Sequence, residues 1–589
     1  MLNPQHTNNR SPSLDHPVHD LRDGSSIGSA TERRSILNAG VSAPGLTPRS
    51  EAARSRGASP SDRQKSREYV QSIIAHSRRY TANSLYPGQN YLGLAAWLQE
   101  ETHEKSILND RHKVAVLHCL TADGPTQIQH YAHQDLERFS TQMRSENKIN
   151  KILFLRGYAS PDWISMIGGI CRIDPEYFNR HLAFMTTFVY RNTFSKPSLS
   201  STCRNIITLR INTILDGYSQ RDAFKNLAAR RISEAADLNT YSRLYQRTAS
   251  YGDSIVKGFY TLDEQYSILE QEISVCVRES KQGWLALVWL DVGRDLTLGP
   301  KGPWLSHHVL SGSANSLPVI QHHVSMVTKQ TYTERANTSI DSFGISTLSD
   351  SAIQQSTMLL PFDFNSLADS ETAKQDVFYA LNTVFQHAAF SHVQLINLME
   401  YQIDKEMGIL ARERDRSHSL DNLQYFRSIL DRYVRQIRDV ICATKSQGRG
   451  GWPSASDTKG QSKCSLTVDR LLEDYDGLLL RALGLCERCT EGMGIMMNRA
   501  VVAESKKAID QAERLKKLTL LASFFIPLSF ITSLFGANFS EFAPGNYLSI
   551  WSFFAASVPV LLLTYCFYLW DVGAWFVWLR ELARVRVRR

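Results

Sequence analysis

The stretch SLFGANFSEFAPGNYL, Ser533 to Leu548, separates two long apolar runs and holds one charged residue, Glu541. The run before it, Leu518 to Phe535, has 18 residues without a charge, and the run after it, Leu548 to Trp570, has 23. At about 1.5 Å per helical residue, both are long enough to cross the hydrocarbon core of a bilayer. The sequence therefore predicts two transmembrane helices, 518–535 and 548–570, joined by a loop at 536–547 outside the membrane.

Basic residues flank this pair of runs on one side. Arg514, Lys516 and Lys517 precede the first run, and LRELARVRVRR, which holds five arginines, follows the second. By the positive-inside rule, both termini face the cytoplasm and the loop faces outward. We therefore expect an integral membrane protein with two spans, in contact with the lipid bilayer of the plasma membrane, and a basic cytoplasmic tail at 571–589.

The rest of the chain is polar. The 589 residues are 43% hydrophobic, and the mean hydropathy of −0.27 is too low for a chain embedded throughout. The net charge of +8 is modest for this length, and we expect no nucleic-acid partner. The nine cysteines follow no repeated spacing, which argues against a secreted disulfide framework. Most of the chain is therefore expected to face a reducing, aqueous compartment.

The region before the membrane divides into a tail and a folded domain. Residues 1–67 contain no Phe, Trp or Tyr and are rich in Ser, Pro and Arg, which predicts a disordered tail. Residues 68–375 alternate strand-like and helix-like patterns, which predicts an α/β cytoplasmic domain with a polar insertion near 310–356. The strand-like runs are KVAVLHCL at Lys113 to Leu120, KILFL at Lys151 to Leu155, IITLRI at Ile206 to Ile211 and WLALVWLDV at Trp284 to Val292.

From 376 to 517 the pattern is helical. It predicts one long stalk helix from Val377 to Lys445, a Gly/Ser-rich break near 446–465, and a second helix from Leu466 that continues into the membrane. Apolar or small residues recur along the second helix at spacings of four and three, as in a coiled coil. They are Val468, Leu472, Tyr475, Leu479, Ala482, Cys486, Cys489, Met493, Met496 and Ala500.

Candidate metal and catalytic motifs are weak. Cys486 and Cys489 form a CxxC, but no second pair completes four ligands, and both fall on the apolar seam, so buried packing is favoured over metal or redox chemistry. The pairs His307/His308 and His322/His323 lie in or beside the polar insertion and are expected to be solvated. No Walker loop, GxGxxG, HExxH or GxSxG is present. We therefore expect no catalytic residues, no enzyme activity and no permanently bound cofactor.

A stripe on the first apolar run could line a pore. Going back from Asn538 at helical spacing gives a stripe that is hydroxylated at its outer end and apolar at its inner end. Its residues are Ser533, Ser529, Ile526, Ala522 and Leu518. Small residues on membrane helices also pack against neighbouring helices, and spacing alone does not separate the two interpretations. Two helices cannot enclose a water-filled path, so transport would require several copies.

The segment LKKLTLLASFFIPLSFITSLFGANF, Leu515 to Phe539, resembles the first membrane helix and signature loop of the CorA family of divalent-cation transporters. That family has an IPL(T/S)F core followed by a Gly-Met-Asn turn, and the chain is most similar to divergent, fungal-type members with long polar N-terminal extensions. The middle residue of the turn is Ala537, where the family has Met. The stretch APGN, Ala543 to Asn546, stands where the family has MPEL.

The resemblance implies a homopentameric funnel, in which stalk helices lead to an inner ring of first membrane helices. Gly536 and Asn538 then occupy the signature positions, with the Asn538 side chain facing a hydrated metal ion at the outer mouth. Ser529 and Ile526 take pore-facing positions, and Glu541 forms an acidic ring. The resemblance implies transport of Mg²⁺ or another divalent cation through an oligomeric pore. A non-conducting, membrane-anchored scaffold or sensor derived from the same family is the alternative.

Overall fold

A computed structural model gives the three-dimensional structure of most of the chain. The residues that it describes are 60–79, 85, 88–100, 112–121, 126–144, 149–182, 199, 205–217, 227–280, 283–305, 315–321, 353–362, 364, 370–411, 416–447, 452–536 and 550–569.

The described residues of the α/β domain form a sheet of eight strands. The strands are β1 (Lys113–Leu120), β2 (Gln127–Ala132), β3 (Asn150–Arg156), β4 (Ile206–Asp216), β5 (Gly258–Thr261), β6 (Tyr266–Ser280), β7 (Gly283–Leu290) and β8 (Asn315–Leu317). Their order is β2-β1-β3-β7-β6-β4-β8, and β5 pairs with β6. The pair β3 and β7 is parallel, and the other pairs are antiparallel. The mixed α/β prediction is confirmed, and each of the four predicted runs forms a strand.

Eleven helices are described around and beyond the sheet. They are α1 (Pro60–Ser77), α2 (Leu92–Gln99), α3 (Leu136–Met143), α4 (Pro161–Cys171), α5 (Pro175–His181), α6 (Leu227–Thr248), α7 (Ser370–Gln375), α8 (Val377–Ala411), α9 (Arg416–Gln447), α10 (Thr458–Gly536) and α11 (Ile550–Leu569). Most of the predicted polar insertion lies outside the described residues, although β8 falls within it and pairs with β4.

The two faces of the sheet are covered by different helices because side chains alternate along each strand. One face carries Phe154 and Val288 and packs against the long helices α8, α9 and α10. The other carries Trp289 and packs against α1, α2, α4 and α5 through Trp163 and Tyr177. The sheet therefore joins the stalk on one side to a separate helical layer on the other.

The predicted boundary of the disordered tail differs from the structure. Helix α1 begins at Pro60, seven residues before the predicted end at 67, and residues 1–59 lie outside the described residues. Helix α1 packs against α4 at Gly168, where the ring of Tyr69 contacts the glycine. A Cβ at Gly168 would lie 2.2 Å from Tyr69 Cε1, so a larger residue there would displace the ring. Asp62, 1% exposed, forms an ion pair with Arg144. Helix packing thus orders a segment whose composition predicts disorder.

The prediction of one helix from Val377 to Lys445 is wrong. The structure describes two antiparallel helices here, α8 and α9, and residues 412–415 between them lie outside the described residues. Asn422 Nδ2 donates to Glu406 Oε1 at 2.8 Å across the two helices. The sequence reads RERDRSHS at 412–419, without an apolar residue, so the apolar periodicity that favours one continuous helix is interrupted there.

Helix α10 begins earlier than predicted and continues further than any other described helix. It begins at Thr458 because Asp457 Oδ2 accepts the backbone N–H of Gly460 at 2.8 Å, which caps the first turn. It then runs for 79 residues to Gly536, or about 120 Å at helical rise, so the stalk continues into the first apolar run as predicted.

The seam on α10 packs within the same chain. Tyr475 donates its hydroxyl to the Phe385 carbonyl at 2.9 Å on α8, and Gly492 faces Met407 and Leu423 on α8 and α9. Most of the predicted seam is buried or half-buried, while Ala500 is exposed. The coiled-coil-like pattern therefore packs α10 against α8 and α9 of the same chain, in a three-helix stalk.

Candidate ion pathway

The membrane end of α10 is the most apolar part of the described chain. It contains a window of 18 residues with a mean hydropathy of 2.0, of which 6% is buried. Within the described residues it is the helix long and apolar enough to cross a membrane, and a shorter apolar helix, Trp551–Cys566, lies within α11. The structure therefore gives one candidate span, where the sequence predicts two.

Helix α11 packs against one face of the end of α10. Ile531 is 4% exposed and Ser557 is 3% exposed, and both lie in this contact region. The rings of Phe535 and Phe553 meet edge to face, with centroids 5.8 Å apart. Because Ile531 and Phe535 are one turn apart, the contact defines a single side of α10.

The predicted stripe lies on the opposite side of α10. Ala522 is nine residues from Ile531, and Ser529 and Ser533 are each two residues away, which places all three near the far side at about 100° per residue. Leu518, Ile526, Ser529 and Ser533 are exposed, and Ala522 is half-buried. The stripe is therefore not covered by α11 and stays available to water, lipid or another copy.

The hydroxyl groups on α10 differ by position. Thr519 donates to the Leu515 carbonyl at 2.8 Å, and Thr532 donates to the Leu528 carbonyl at 3.1 Å, so both are satisfied within the helix. The hydroxyls of Ser529 and Ser533 have no hydrogen-bond partner among the residues that the structure describes. Two unsatisfied hydroxyls on the exposed stripe can contact water or a hydrated ion.

Pro527 interrupts the backbone ladder between these two halves. It lacks the N–H that would bond to the Ser523 carbonyl, and such a proline bends a helix. Pro527 lies between Ile526 and Ser529, where the stripe changes from apolar to hydroxylated.

The predicted signature loop is described only at its first residue. Gly536 is the last residue of α10 and is exposed. Ala537, Asn538 and Glu541 lie outside the described residues, as do the arginines of the predicted basic tail. At the other end of the span, Arg514, Lys516 and Lys517 are exposed on α10.

Below the span, α10 is not covered by any part of the chain that the structure describes. No residue from 497 to 521 is buried, and the exposed apolar side chains include Met497, Val501 and Ile509. The stalk contacts end near Gly492, which faces the junction of α8 and α9. Exposed apolar side chains over about seven turns are costly in water and favour contact with other copies of the helix.

The cysteine pair on the seam is buried. Burial raises the pKa of the Cys486 thiol to about 11 and that of the Cys489 thiol to about 12, so both stay protonated at neutral pH. Within the described residues, no three His, Cys, Asp or Glu side chains are grouped to hold a metal. Cys486 and Cys489 are buried packing residues, as predicted, and the two His pairs lie outside the described residues.

The sequence prediction missed a buried polar network that fixes the stalk on the sheet. Glu270 Oε2 accepts a hydrogen bond from the Tyr433 hydroxyl at 3.0 Å and forms an ion pair with Arg432 Nη2 at 3.0 Å. The Asn212 backbone N–H donates to Ser391 Oγ at 2.7 Å, which ties β4 to α8. The stretch EQE at 270–272, inside an otherwise apolar strand, is the sequence signal that indicates such a network.

Part of the chain is similar to known proteins. Residues 363–576, which include α8 to α11, match the family model described as CorA-like Mg²⁺ transporter protein. The zinc transport protein ZntB of Yersinia pseudotuberculosis is 30% identical over 142 residues, covering 24% of this chain and 38% of that protein. ZntB of Photorhabdus laumondii is 32% identical over 118 residues, covering 20% and 31%. The match thus spans less than half the length of these relatives.

A solved structure of the CorA magnesium transporter from Methanocaldococcus jannaschii aligns with 78% of this chain and 98% of its own. The TM-score is 0.28 and the identity 10%, values too low to show a shared fold. The family description and the relatives' names denote transport proteins, not enzymes, in agreement with the sequence. Over residues 363–576, the chain is therefore similar to the CorA-like Mg²⁺ transporter family.

Proposed function

We propose that the chain is one subunit of a homo-oligomeric, pentameric membrane channel or transporter for a divalent cation. The observation that carries the proposal is the exposed stripe on α10, which faces away from α11 and ends in two unsatisfied serine hydroxyls. If α10 faces a shared axis and α11 faces lipid, the stripe becomes the wall of a pore. Both apolar helices then span the plasma membrane, with both termini in the cytoplasm.

The segment 497–521 supports assembly around an axis. Its apolar side chains are exposed in one subunit, and burial of such side chains against other copies favours association by about 25 cal/mol per Å² of apolar surface. Five copies of α10 would then continue the pore wall from the membrane toward the cytoplasm. The sheet and stalk of each subunit form the cytoplasmic part of a funnel.

The loop after α10 is proposed as the selectivity site. Gly536 ends the helix, Asn538 presents an amide oxygen to a hydrated ion, and Glu541 adds an acidic ring that concentrates cations. Mg²⁺ sheds water reluctantly, so recognition through its hydration shell suits a ring of amide dipoles. Ala537 stands where the family has the larger Met, which leaves more space at the turn. The smaller side chain is compatible with a change of selectivity toward Zn²⁺, the ion in the relatives' names.

A non-conducting scaffold or sensor is the second candidate. The observation in its favour is the departure of the loop from the family pattern, at Ala537 and at Ala543 to Asn546. A bare anchor, however, would not require Asn538 or hydroxyls on the face opposite α11. Transport is the function that uses both.

Ion flux into liposomes that contain the purified protein separates the two candidates. We expect inward flux of Mg²⁺, with Zn²⁺ and Co²⁺ measured in parallel, and a loss of about tenfold or more in Asn538→Ala. Asn546→Ala is the matched control, because it removes the same amide from the same loop. Absence of flux for every ion in protein that remains oligomeric would favour the scaffold, and wild-type flux unchanged by Asn538→Ala would remove the selectivity role of that residue.

A further inference from the structure

The carboxyl end of β3 holds a buried charge without a counterion. Arg156 is 5% exposed. Its guanidinium donates from Nη1 to the Lys113 carbonyl at 3.2 Å and from Nη2 to the Gly293 carbonyl at 3.4 Å. Nε has no hydrogen-bond partner, and no carboxylate in the described part of the chain pairs with this arginine.

Other basic side chains come to the same edge of the sheet. Lys113 begins β1, His112 precedes it, and His130 lies near the end of β2. Because β1 is antiparallel to both β2 and β3, these residues meet the end of β3 at Arg156. Arg294 follows β7, which is parallel to β3, and its Nε donates to Asp253 Oδ1 at 2.9 Å. The carboxylate of Asp253 is therefore already engaged.

Close backbone contacts hold His112 beside Arg156. A Cβ at Gly293 would lie 2.1 Å from the Gly252 carbonyl oxygen, and a Cβ at Gly252 would lie 2.8 Å from His112 Cδ2. His112 Nε2 is buried and has no hydrogen-bond partner among the described residues. Burial and the charge of Arg156 hold the pKa of His112 well below its ordinary value, so the imidazole is neutral.

An aromatic ring covers the other side of the guanidinium. Arg156 Cζ lies 5.1 Å from the centroid of the Phe362 ring, and the His130 ring stacks on the same ring with centroids 5.6 Å apart. The aromatic face attracts a cation but carries no net charge. It orients the guanidinium without neutralising it.

A buried charge is unfavourable unless a charge of opposite sign accompanies it. In open α/β sheets, ligands bind at the carboxyl ends of parallel strands, which is where Arg156 and Arg294 stand. We propose that this edge of the sheet, centred on Arg156 and His112, binds a phosphate-type oxyanion. The fork of the guanidinium matches phosphate oxygens, and a dianion supplies charge for both Arg156 and a protonated His112. The site is separate from the ion pathway and does not depend on the transport proposal.

Equilibrium dialysis of the full-length protein in detergent, with labelled inorganic phosphate as the probe, tests the site. We expect saturable binding of one phosphate per subunit and a loss of about tenfold or more in affinity for Arg156→Gln. Arg438→Gln makes the same chemical change at an exposed position on α9 and should leave the affinity unchanged. Acetate at equal ionic strength should not displace the phosphate.

His112→Gln provides a second variant at a half-buried position, in case Arg156→Gln does not fold. We expect it to fold, as size exclusion would show, and to weaken binding by about threefold or more. The proposal is overturned if the wild type shows no saturable binding up to about 10 mM phosphate, which is an affinity too weak for a built site. It is equally overturned if His112→Gln and any folded Arg156→Gln protein bind as tightly as the wild type.

Discussion

At the scale of single residues, two glycines on α10 have opposite roles. A Cβ at Gly492 would lie 2.6 Å from Met407 Sδ and 2.8 Å from Leu423 Cδ1, whereas a Cβ at Gly484 would meet nothing within 4 Å. Gly492 allows α8, α9 and α10 to pack closely. Gly484 is exposed and makes no such contact, so its main effect is the backbone entropy that a glycine loses on folding. The sequence alone gives both as glycines in a helix and does not distinguish them.

We therefore expect Gly492→Ala to lower the free energy of unfolding by about 1–3 kcal/mol, because the packed side chains of Met407 and Leu423 must shift. Gly484→Ala should raise it by about 0.5–1 kcal/mol, since alanine favours the helix. Thermal unfolding of the two variants in the same detergent measures both. Equal shifts of the same sign would contradict the packing described for Gly492.

His392 gives a prediction for the dependence of stability on pH. It is buried in α8, with its ring 5.6 Å from Tyr433 and 6.4 Å from Tyr475, and burial lowers its pKa to about 4. The unfolded chain therefore binds a proton near pH 6.5 that the folded chain does not bind until about pH 4. This difference in proton binding lowers the free energy of unfolding as the pH falls from 6.5 toward 4, by up to about 3 kcal/mol.

His392→Leu should flatten that part of the pH profile, and His418→Leu, at an exposed position on α9, should leave it unchanged. Buried His118 and His387, whose pKa values burial also lowers to about 4, keep a residual slope in both variants. Denaturant unfolding between pH 7 and pH 4.5 gives the slopes. A profile for His392→Leu as steep as that of the wild type would show that His392 is not a source of the acid sensitivity.

At the scale of elements, the sequence predicts strands better than helix ends. Each predicted strand is a short, largely apolar run that pairs in the sheet, although β4 continues to Asp216, five residues beyond the predicted run, and β7 ends at Leu290, two residues before it. The stalk departs from the prediction because one capping contact at Asp457 and one charged run at 412–419 decide where helices begin and end. Apolar periodicity does not indicate the cap, since caps depend on a few polar side chains, whereas the run without apolar residues at 412–419 is a signal that the prediction overlooked.

The attachment of the stalk to the sheet rests on Tyr433. Its hydroxyl lies between the acceptors Glu270 Oε2 and Asn212 Oδ1 in the interior, so Tyr433→Phe removes the one donor that these two buried groups share. We expect a loss of about 1–3 kcal/mol in the free energy of unfolding, because an unsatisfied buried acceptor costs that much. Tyr401→Phe removes a hydroxyl from an exposed side chain on α8 and should change little. Equal stability of the two variants would argue against the network as a fixed attachment.

At the scale of the whole molecule, a single helix connects the sheet domain to the membrane. Helix α10 begins beside α7 and α8, forms part of the stalk and ends at Gly536. A displacement of the stalk would therefore move the base of the proposed pore. The sequence predicts this continuity because no proline or glycine pair breaks the pattern between the seam and the span. It does not predict the number of copies, since a subunit's own contacts cannot fix the symmetry of an assembly.

The direct test of the pore is whether the face of α10 opposite α11 lines the ion path. Ser529→Cys and Ile531→Cys proteins in liposomes are treated with a small, charged thiol reagent while ion flux is recorded. The account predicts that the reagent blocks flux through Ser529→Cys and leaves flux through Ile531→Cys and the wild type unchanged. Block through Ile531→Cys with no effect on Ser529→Cys would contradict it.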